Sequence, residues 1–434
     1  MSGGLSDFGL RLSVLSSVGL LAISSWVSAA EPASNNPSPA SPFLRLRETS
    51  LGYHGPEGDF TNLTEIRIGW FGPHDATNPL GADAWWAANL AVQEANAQSS
   101  DFGLRTSGFH RLPFRLVPRW AVDPWGSGVS QLARMVYDEQ PLALLGSVDS
   151  ASTHLAEQVV AKANLPLVSP IATDKSVTLA GVSWMFSCAP ADDAIARVLA
   201  ADILATLPDR TNKLAVLSCT DHESRMAARE VLKELSRRGH PPDFRFEAPN
   251  GARAIAAQMA ALAEARPRAV VIIAGAEDAA RLVSAVRDQV PSALLFGGHA
   301  LGRARFGELA GRAAEGVRFP RLFVPHPGDA VTARFLDRFV AEHQRPPDYT
   351  AALTYDATRL LLAAIRHAGP NRARIRESLA QLSPWPGIAG PICFDGTGQN
   401  TRTNVCMGTL RHAAVVPPAS KASLNQTLQE ATPL

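Results

Sequence analysis

Two clusters of small hydroxyl residues are the groups in this chain best suited to holding a ligand. Leu142-Ala-Leu-Leu-Gly leads into Ser147-Val-Asp-Ser150-Ala-Ser-Thr153, and Leu165-Pro-Leu-Val leads into Ser169-Pro-Ile-Ala-Thr173. Ser150 and Thr173 each fall just past a short apolar run. Hydroxyls and backbone N–H groups at the start of a helix suit a small anion such as a carboxylate. The plainer reading stays open: Ser and Thr favour turns, and Asp149 is a natural N-cap. Two further clusters follow apolar runs. Leu214–Ser218 opens into Cys219-Thr-Asp-His222-Glu223-Ser224, and Leu294–Phe296 opens into Gly-Gly-His299-Ala300. His222, Glu223 and His299 are thus candidate contacts, set against a reading as solvated residues at strand ends.

Enzyme chemistry finds little to work with. The sequence has no Gly-x-Ser-x-Gly elbow, no His-Glu-x-x-His pair and no Gly-rich phosphate loop. Its eleven histidines are scattered, and Asp221-His222-Glu223 has no nucleophile or metal partner nearby in sequence. We expect a binding protein without cofactor or metal.

The elements that place these clusters are legible from periodicity. Apolar runs at Ile66–Phe71, Phe114–Trp120, Leu142–Ser147, Leu165–Ser169, Leu214–Ser218, Ala269–Ala274 and Leu294–Gly297 read as buried strands. Between them lie alanine-rich stretches with helical spacing: Trp86–Ala97, Val129–Asp138, Ser152–Ala163, Ala227–Ser236, Ala254–Ala265 and Ala279–Val290. That alternation predicts βαβ units and a mostly parallel, helix-covered sheet, an α/β fold. In open sheets of this kind ligands bind outside the carboxyl ends of the strands, where every cluster above falls. The last third reads differently, with helices at Val331–His343, Leu353–Ala368 and Ile375–Leu382, then a hairpin of Cys393–Asp395 with Val405–Leu410.

At 434 residues and 46% hydrophobic, the chain can bury two cores. With 41 basic and 40 acidic residues, its charge offers no attraction for nucleic acid or an anionic membrane. Arg11 precedes an uncharged stretch, Leu12–Ala30, ending Val27-Ser28-Ala29-Ala30. This is the pattern of a secretory signal over residues 1–30, with an uncleaved anchor as the alternative. No cysteine follows the cleavage site, which excludes a lipid-modified N-terminus, so an exported, soluble, periplasmic product is expected. Residues 31–64 read as a Pro/Ser-rich extension, with Phe43–Leu46 docking on the body, and residues 413–434 as a disordered tail. In an oxidising compartment Cys393 and Cys406, flanking a turn-rich segment, are candidates for a disulfide, while Cys188 and Cys219 read as buried thiols.

Taken together, these segments resemble the periplasmic leucine/isoleucine/valine-binding family, the type I solute-binding proteins of ABC importers. The resemblance spans Ile66 to Leu410. It rests on Ile66-Arg-Ile-Gly with Gly72-Pro73, on Gly81 and Ala91-Val-Gln-Glu-Ala-Asn96, and on the two hydroxyl loops. Tyr355-Asp-Ala357 and Gly390-Pro-Ile-Cys-Phe-Asp-Gly-Thr-Gly398 complete it. It implies a two-lobed Venus-flytrap, with lobe 1 over 66–187 plus 325–383 and lobe 2 over 188–324 plus 384–412. It also implies capture of a small carboxylate-bearing ligand, an amino acid of branched-chain or related type, for a membrane permease. A periplasmic sensory protein reporting to a membrane partner is the alternative. By the same resemblance Ser150 is similar to the family's carboxylate-binding serine, Thr173 to the threonine that meets carboxylate and ammonium, and Ile171 offers its carbonyl to the ammonium. The second lobe departs from the pattern. His222-Glu223 stands where a Tyr-Gly pair is usual, His299 near the usual carboxylate, and Leu80 where an aromatic often covers the side-chain pocket. Either Glu223 supplies the missing counter-charge from a new position, or the ligand is a plain carboxylate or amide.

Overall fold

The apolar runs pair into two separate sheets in the computed structural model. It describes residues 58–79, 81–101, 108–121, 123–209, 211–251, 255–326, 328–401, 404–411 and 414–416, all within one compact unit. Ile66–Phe71 (β1), Phe114–Arg119 (β2), Ala143–Gly146 (β3), Leu167–Ser169 (β4) and Met185–Ser187 (β5) form a parallel sheet of order β2-β1-β3-β4-β5. Leu214–Cys219 (β6), Phe244–Ala248 (β7), Ala269–Ile273 (β8), Leu294–Gly297 (β9), Arg318–Arg321 (β10), Cys406–Arg411 (β11) and Ala414–Val416 (β12) form the other, of order β12-β11-β10-β9-β8-β6-β7. It is parallel from β7 through β10 and antiparallel beyond. Central strands such as β3 and β8 are buried along their whole length, as sheets covered on both faces require.

Each expected helix forms within a few residues of its periodic stretch. The helices are Ala82–Asp101 (α1), Val129–Arg134 (α2, continued by a wider turn to Glu139), Ser150–Ala163 (α3), Asp192–Thr206 (α4, not among the expected ones), His222–Arg237 (α5), Ala256–Ala265 (α6), Ala276–Gln289 (α7), Ala330–His343 (α8), Tyr349–Ala368 (α9) and Arg372–Gln381 (α10). Several begin on a side-chain cap. Asp149, Asp221, Asp329, Asp348 and Asn371 each accept a hydrogen bond from a backbone N–H of the first turn. Two of these caps, Asp149 and Asp221, follow the strand ends of β3 and β6, and so place a carboxylate on the rim of each sheet.

The chain passes between the sheets three times: from β5 to α4, from β10 to α8, and again before β11. The helices α8 and α9 return to the first sheet, where Phe335, Phe339, Tyr355 and Leu361 join the core of Ile68, Trp70 and Leu145. The final segment differs from expectation. Ile388 and Ile392 bury in that same first core and Phe394 packs 5.1 Å from Phe186, so residues 384–405 belong with the first sheet rather than the second. The polar reason is local: Ser187 N–H donates to Gly398 O, and the Gln399 and Asn400 amides donate to Ala189 O and Cys188 O. The expected hairpin of 393–395 with 405–410 is replaced by β11 with β12. Cys393 and Cys406 are free thiols: Cys393 sits in the first-core segment, and Cys406 is exposed at the start of β11 in the second sheet, in register with Arg321. Cys188 and Cys219 are buried and free.

Residues 1–57, including the signal-like stretch and Phe43–Leu46, and most of the tail lie outside the described residues. The end of the extension docks on the body: Phe60 N–H donates to Pro370 O at 2.8 Å, Arg372 lies over the Phe60 ring, and Asp59 pairs with Arg374 at 2.9 Å. The strand Ala414–Val416 replaces the start of the expected disordered tail. No helix among the described residues is long and apolar enough to cross a membrane.

Candidate ligand-binding site

The carboxyl ends of the two sheets face each other across a cleft of about 330 Å³. Val148 and Asp149 line it after β3, Ile171 and Thr173 after β4, Glu223 and Ser224 after β6, Gly275–Asp278 after β8, and His299 and Arg303 after β9. Tyr349, at the start of α9, closes one wall. This is where ligands bind in sheets of this topology. Five sequence-predicted residues line the cleft: Asp149, Ile171, Thr173, Glu223 and His299. Leu80 lies outside the described residues, although its neighbour Pro79 is in the lining.

Ser150 is fully buried and does not line the cleft, because Glu223 covers it. The Ser150 hydroxyl donates to Glu223 Oε2 at 2.7 Å, and the Ser150 and Ala151 N–H groups donate to Glu223 Oε1 at 2.8 and 3.1 Å. Asp174 N–H donates back to Ser150 Oγ at 3.2 Å. A hydroxyl, two amides and a helix N-terminus thus make the carboxylate site that the sequence suggests. The carboxylate on it comes from the opposite sheet of the same chain.

Next to Glu223 the cleft is rich in acid. Burial, with the nearby Asp149 carboxylate adding to it, raises the Glu223 pKa to about 7. Asp149 is raised as well, chiefly by burial, although its carboxylate caps α3 through Ser152 N–H at 2.7 Å. Asp192 is buried beneath Thr173 and pushed up to about 8 by burial, with Glu223 and Asp174 opposing its ionisation, against a hydrogen bond from Thr173. His299 supplies no charge: burial, reinforced by Arg303, lowers it to about 4, and its ring packs 5.7 Å from Tyr349. It is a neutral wall residue. His222 turns away from the cleft and meets Asp174 Oδ2 at 2.9 Å.

A second contact ties the two sides. Arg303 Nε donates to Asp348 Oδ2 at 3.0 Å and its Nη2 to Pro79 O at 3.0 Å. Sequence reasoning missed Arg303, Tyr349, Asp348 and Asp192. Arg303 lies four residues past His299, in a loop with no motif of its own, and Asp348 reads only as a helix cap.

The periplasmic binding protein family matches residues 65–413 by its sequence profile. Among solved structures, a leucine-binding protein from Thermotoga maritima superposes with a TM-score of 0.72 at 20% identity, covering 82% of this chain and 98% of its own. A branched-chain amino acid substrate-binding protein from Streptococcus pneumoniae, in complex with isoleucine, gives 0.70 at 20% identity, covering 81% and 97%. A solute-binding protein from R. palustris in complex with benzoate gives 0.68 at 18%, covering 81% and 95%. At these identities the likeness is one of fold. No curated protein matches the chain by sequence.

Proposed function

Because the chain belongs to the periplasmic binding protein family, a family of binding proteins rather than enzymes, we propose that it is the exported receptor of an ABC-type importer and that it captures its solute by a cationic head group. Ligand enters between the two sheets, taken as lobes, and holds them closed for a permease to read. The observation carrying the ligand class is Glu223 on Ser150. Hydroxyl and amide donors that suit a ligand carboxylate already serve a carboxylate of the chain. The expectation of a carboxylate ligand on Ser150 gives way accordingly.

The surrounding charges favour the same reading. Asp149, Glu223, Glu277 and Asp278 line the cleft against Arg303 and Arg305. Arg303 is engaged by Asp348 and Arg305 by Glu277 at 3.5 Å. An ammonium or amidinium placed against Glu223, Asp149 and the Ile171 carbonyl would neutralise carboxylates that burial otherwise penalises. Val148, Ile273, Ala274 and Tyr349 leave an apolar surface for the rest of the molecule.

A thermal-shift screen followed by calorimetry tests this. Small amines and amidines should raise the melting temperature, by about 2.7 kcal/mol of stabilisation at 100 times the dissociation constant, and simple monocarboxylates should not. Glu223→Gln should weaken the best amine roughly 10- to 100-fold, the size of a charged hydrogen bond. Stronger binding of monocarboxylates than of amines would overturn the ligand class.

The pH dependence has a definite sign. A carboxyl raised in the folded state holds its proton more tightly than when unfolded, so stability from Glu223 and Asp192 is lost as pH rises from the ordinary carboxylate range through about 7 and about 8, and Asp149, raised as well, acts in the same direction. A cationic ligand favours the ionised cleft. Its affinity should therefore rise between pH 5 and 8 in calorimetric titrations, and a flat or falling profile would contradict the role given to Glu223.

A further inference from the structure

We infer that His154, Asp174 and His222 form a binding site for a late first-row divalent cation, zinc being the best fit, placed so that the ion joins the two sheets. His222 Nε2 lies 2.9 Å and His154 Nε2 3.4 Å from Asp174 Oδ2, and the three donor atoms all fall within 4.8 Å of one another. Neighbouring ligands of a tetrahedral ion with bonds of about 2.0 Å stand roughly 3.3 Å apart, so the two distances to Asp174 fit, and the two histidine nitrogens, within 4.8 Å of each other, have at most a side-chain rotation to make. Two imidazole nitrogens and one carboxylate oxygen suit zinc, copper or nickel rather than calcium or magnesium, which take oxygen shells.

The surroundings are built as metal sites are. The other ring nitrogen of His154, Nδ1, sits 2.9 Å from the Glu157 carboxylate, which is buried on the same face of α3 one turn on. A carboxylate behind a ligating histidine fixes the tautomer and turns Nε2 toward the ion. Asp174 is only 2% exposed and is held in place: Ser176 N–H donates to Oδ1 at 2.9 Å and Ser176 Oγ to Oδ2 at 2.7 Å. Ser176 Oγ is also 3.0 Å from His154 Nε2, close enough to offer a fourth ligand.

With Asp174 at one nitrogen and Glu157 at the other, both nitrogens of His154 face carboxylate oxygen, while His222 points a second ring at the same Asp174 oxygen. A protonated imidazole donates to both carboxylates, so a cation at Nε2 takes the place of one proton while Glu157 keeps the other. His154 and Asp174 follow strands of the first sheet, whereas His222 is the first residue of α5 in the second. An ion there would fasten the cleft closed independently of any solute.

Titrating Zn²⁺ into the chelator-treated full chain, without a polyhistidine tag and in a non-coordinating buffer, tests the site. Calorimetry should give one saturable ion per chain, accompanied by a raised melting temperature and a smaller radius of gyration in solution scattering. His222→Gln and His154→Gln should each weaken binding at least 100-fold, and Glu157→Gln about 10- to 100-fold by releasing the His154 ring. A 100-fold excess of Mg²⁺ or Ca²⁺ should not compete. His222 is part-exposed at a helix start, so its variant should keep the wild-type circular dichroism melt and separate lost binding from lost fold. Absence of saturable zinc binding, or zinc binding equal to wild type in both histidine variants, would overturn the proposal. The titration contains no solute, so its outcome does not depend on the ligand class proposed above.

Discussion

Gly146→Ala should destabilise the chain by about 2–6 kcal/mol and abolish solute binding. Gly146 ends β3 at φ +135°, a region that L side chains rarely adopt, and pairs in register with Phe71 of the central strand β1. A Cβ there would lie 2.5 Å from Phe71 O, 3.2 Å from Phe71 C and 3.3 Å from Phe71 N. All three are backbone atoms of a buried strand, so neither a rotamer change nor a flexible tip can relieve the clash. Backbone strain of roughly 1–3 kcal/mol and overpacking of roughly 1–3 kcal/mol act at one position. The functional consequence follows from what comes next in the chain. Ser147–Ala151 follows directly on Gly146, and a shift of a few tenths of an ångström there moves the amides and hydroxyl that hold Glu223. Chemical denaturation measures the first effect and calorimetry with the best amine the second. Gly307→Ala is the matched control: a Cβ at Gly307 meets nothing within 4 Å and the residue lies inside a helix, so it should stabilise by about 0.5–1 kcal/mol. Equal stability of Gly146→Ala and wild type would remove the backbone argument.

The parts of this molecule readable in sequence are those whose signal is local. Runs such as Leu142–Gly146 and Ala269–Ile273 are apolar along their whole length because both faces are covered, and they stand out at once. The hydroxyl loops could be placed at strand ends, and Glu223 could be named as an unusual charge in the second half. What it does was not readable, since its partner Ser150 lies 73 residues earlier and only the approach of two sheets brings them together. The histidine cluster is hidden for the same reason: Asp174 is 20 residues from His154 and 48 from His222, with no helical or turn spacing to betray it. Phe244–Ala248 went unread because an edge strand with alternating exposure, Phe244 and Phe246 part-buried and Arg245 and Glu247 exposed, resembles a polar connection. The Cys393–Cys406 pairing failed through topology: the turn between them is real, but its two arms leave for different sheets.

Asp348→Ala should cost about 3–5 kcal/mol and loosen the side of the cleft opposite Glu223. Asp348 combines two roles that sequence shows only singly. Its Oδ1 caps α9, accepting from Thr350 N–H at 2.9 Å and Thr350 Oγ1 at 2.5 Å. Its Oδ2 meets Arg303 Nε at 3.0 Å and Ala304 N–H at 3.3 Å, reaching from the first core to the second. The side chains of Asp348 and Arg303 are 4% and 12% exposed, so little water replaces the carboxylate when it is removed. Deleting one partner of a buried pair leaves the other charge uncompensated, at roughly 3–5 kcal/mol, and the lost cap of about 1 kcal/mol lies partly inside that figure. Asp348→Asn keeps an acceptor for the cap and loses the charge, so it should fall between. Arg303→Met with Asp348→Leu removes both charges and should cost less than Asp348→Ala alone, a non-additivity that a double-mutant cycle in urea reads directly. The sign with pH is fixed too. Burial acts to raise the Asp348 pKa, but Arg303 and the Thr350 donors outweigh it and hold it below the ordinary carboxylate value. Its contribution is therefore present above that range and lost as pH falls through the lowered pKa, so the gap between wild type and Asp348→Ala should narrow in acid. A gap below about 1 kcal/mol at neutral pH, or one that widens in acid, would show that Arg303 and Asp348 do not hold the two sheets together.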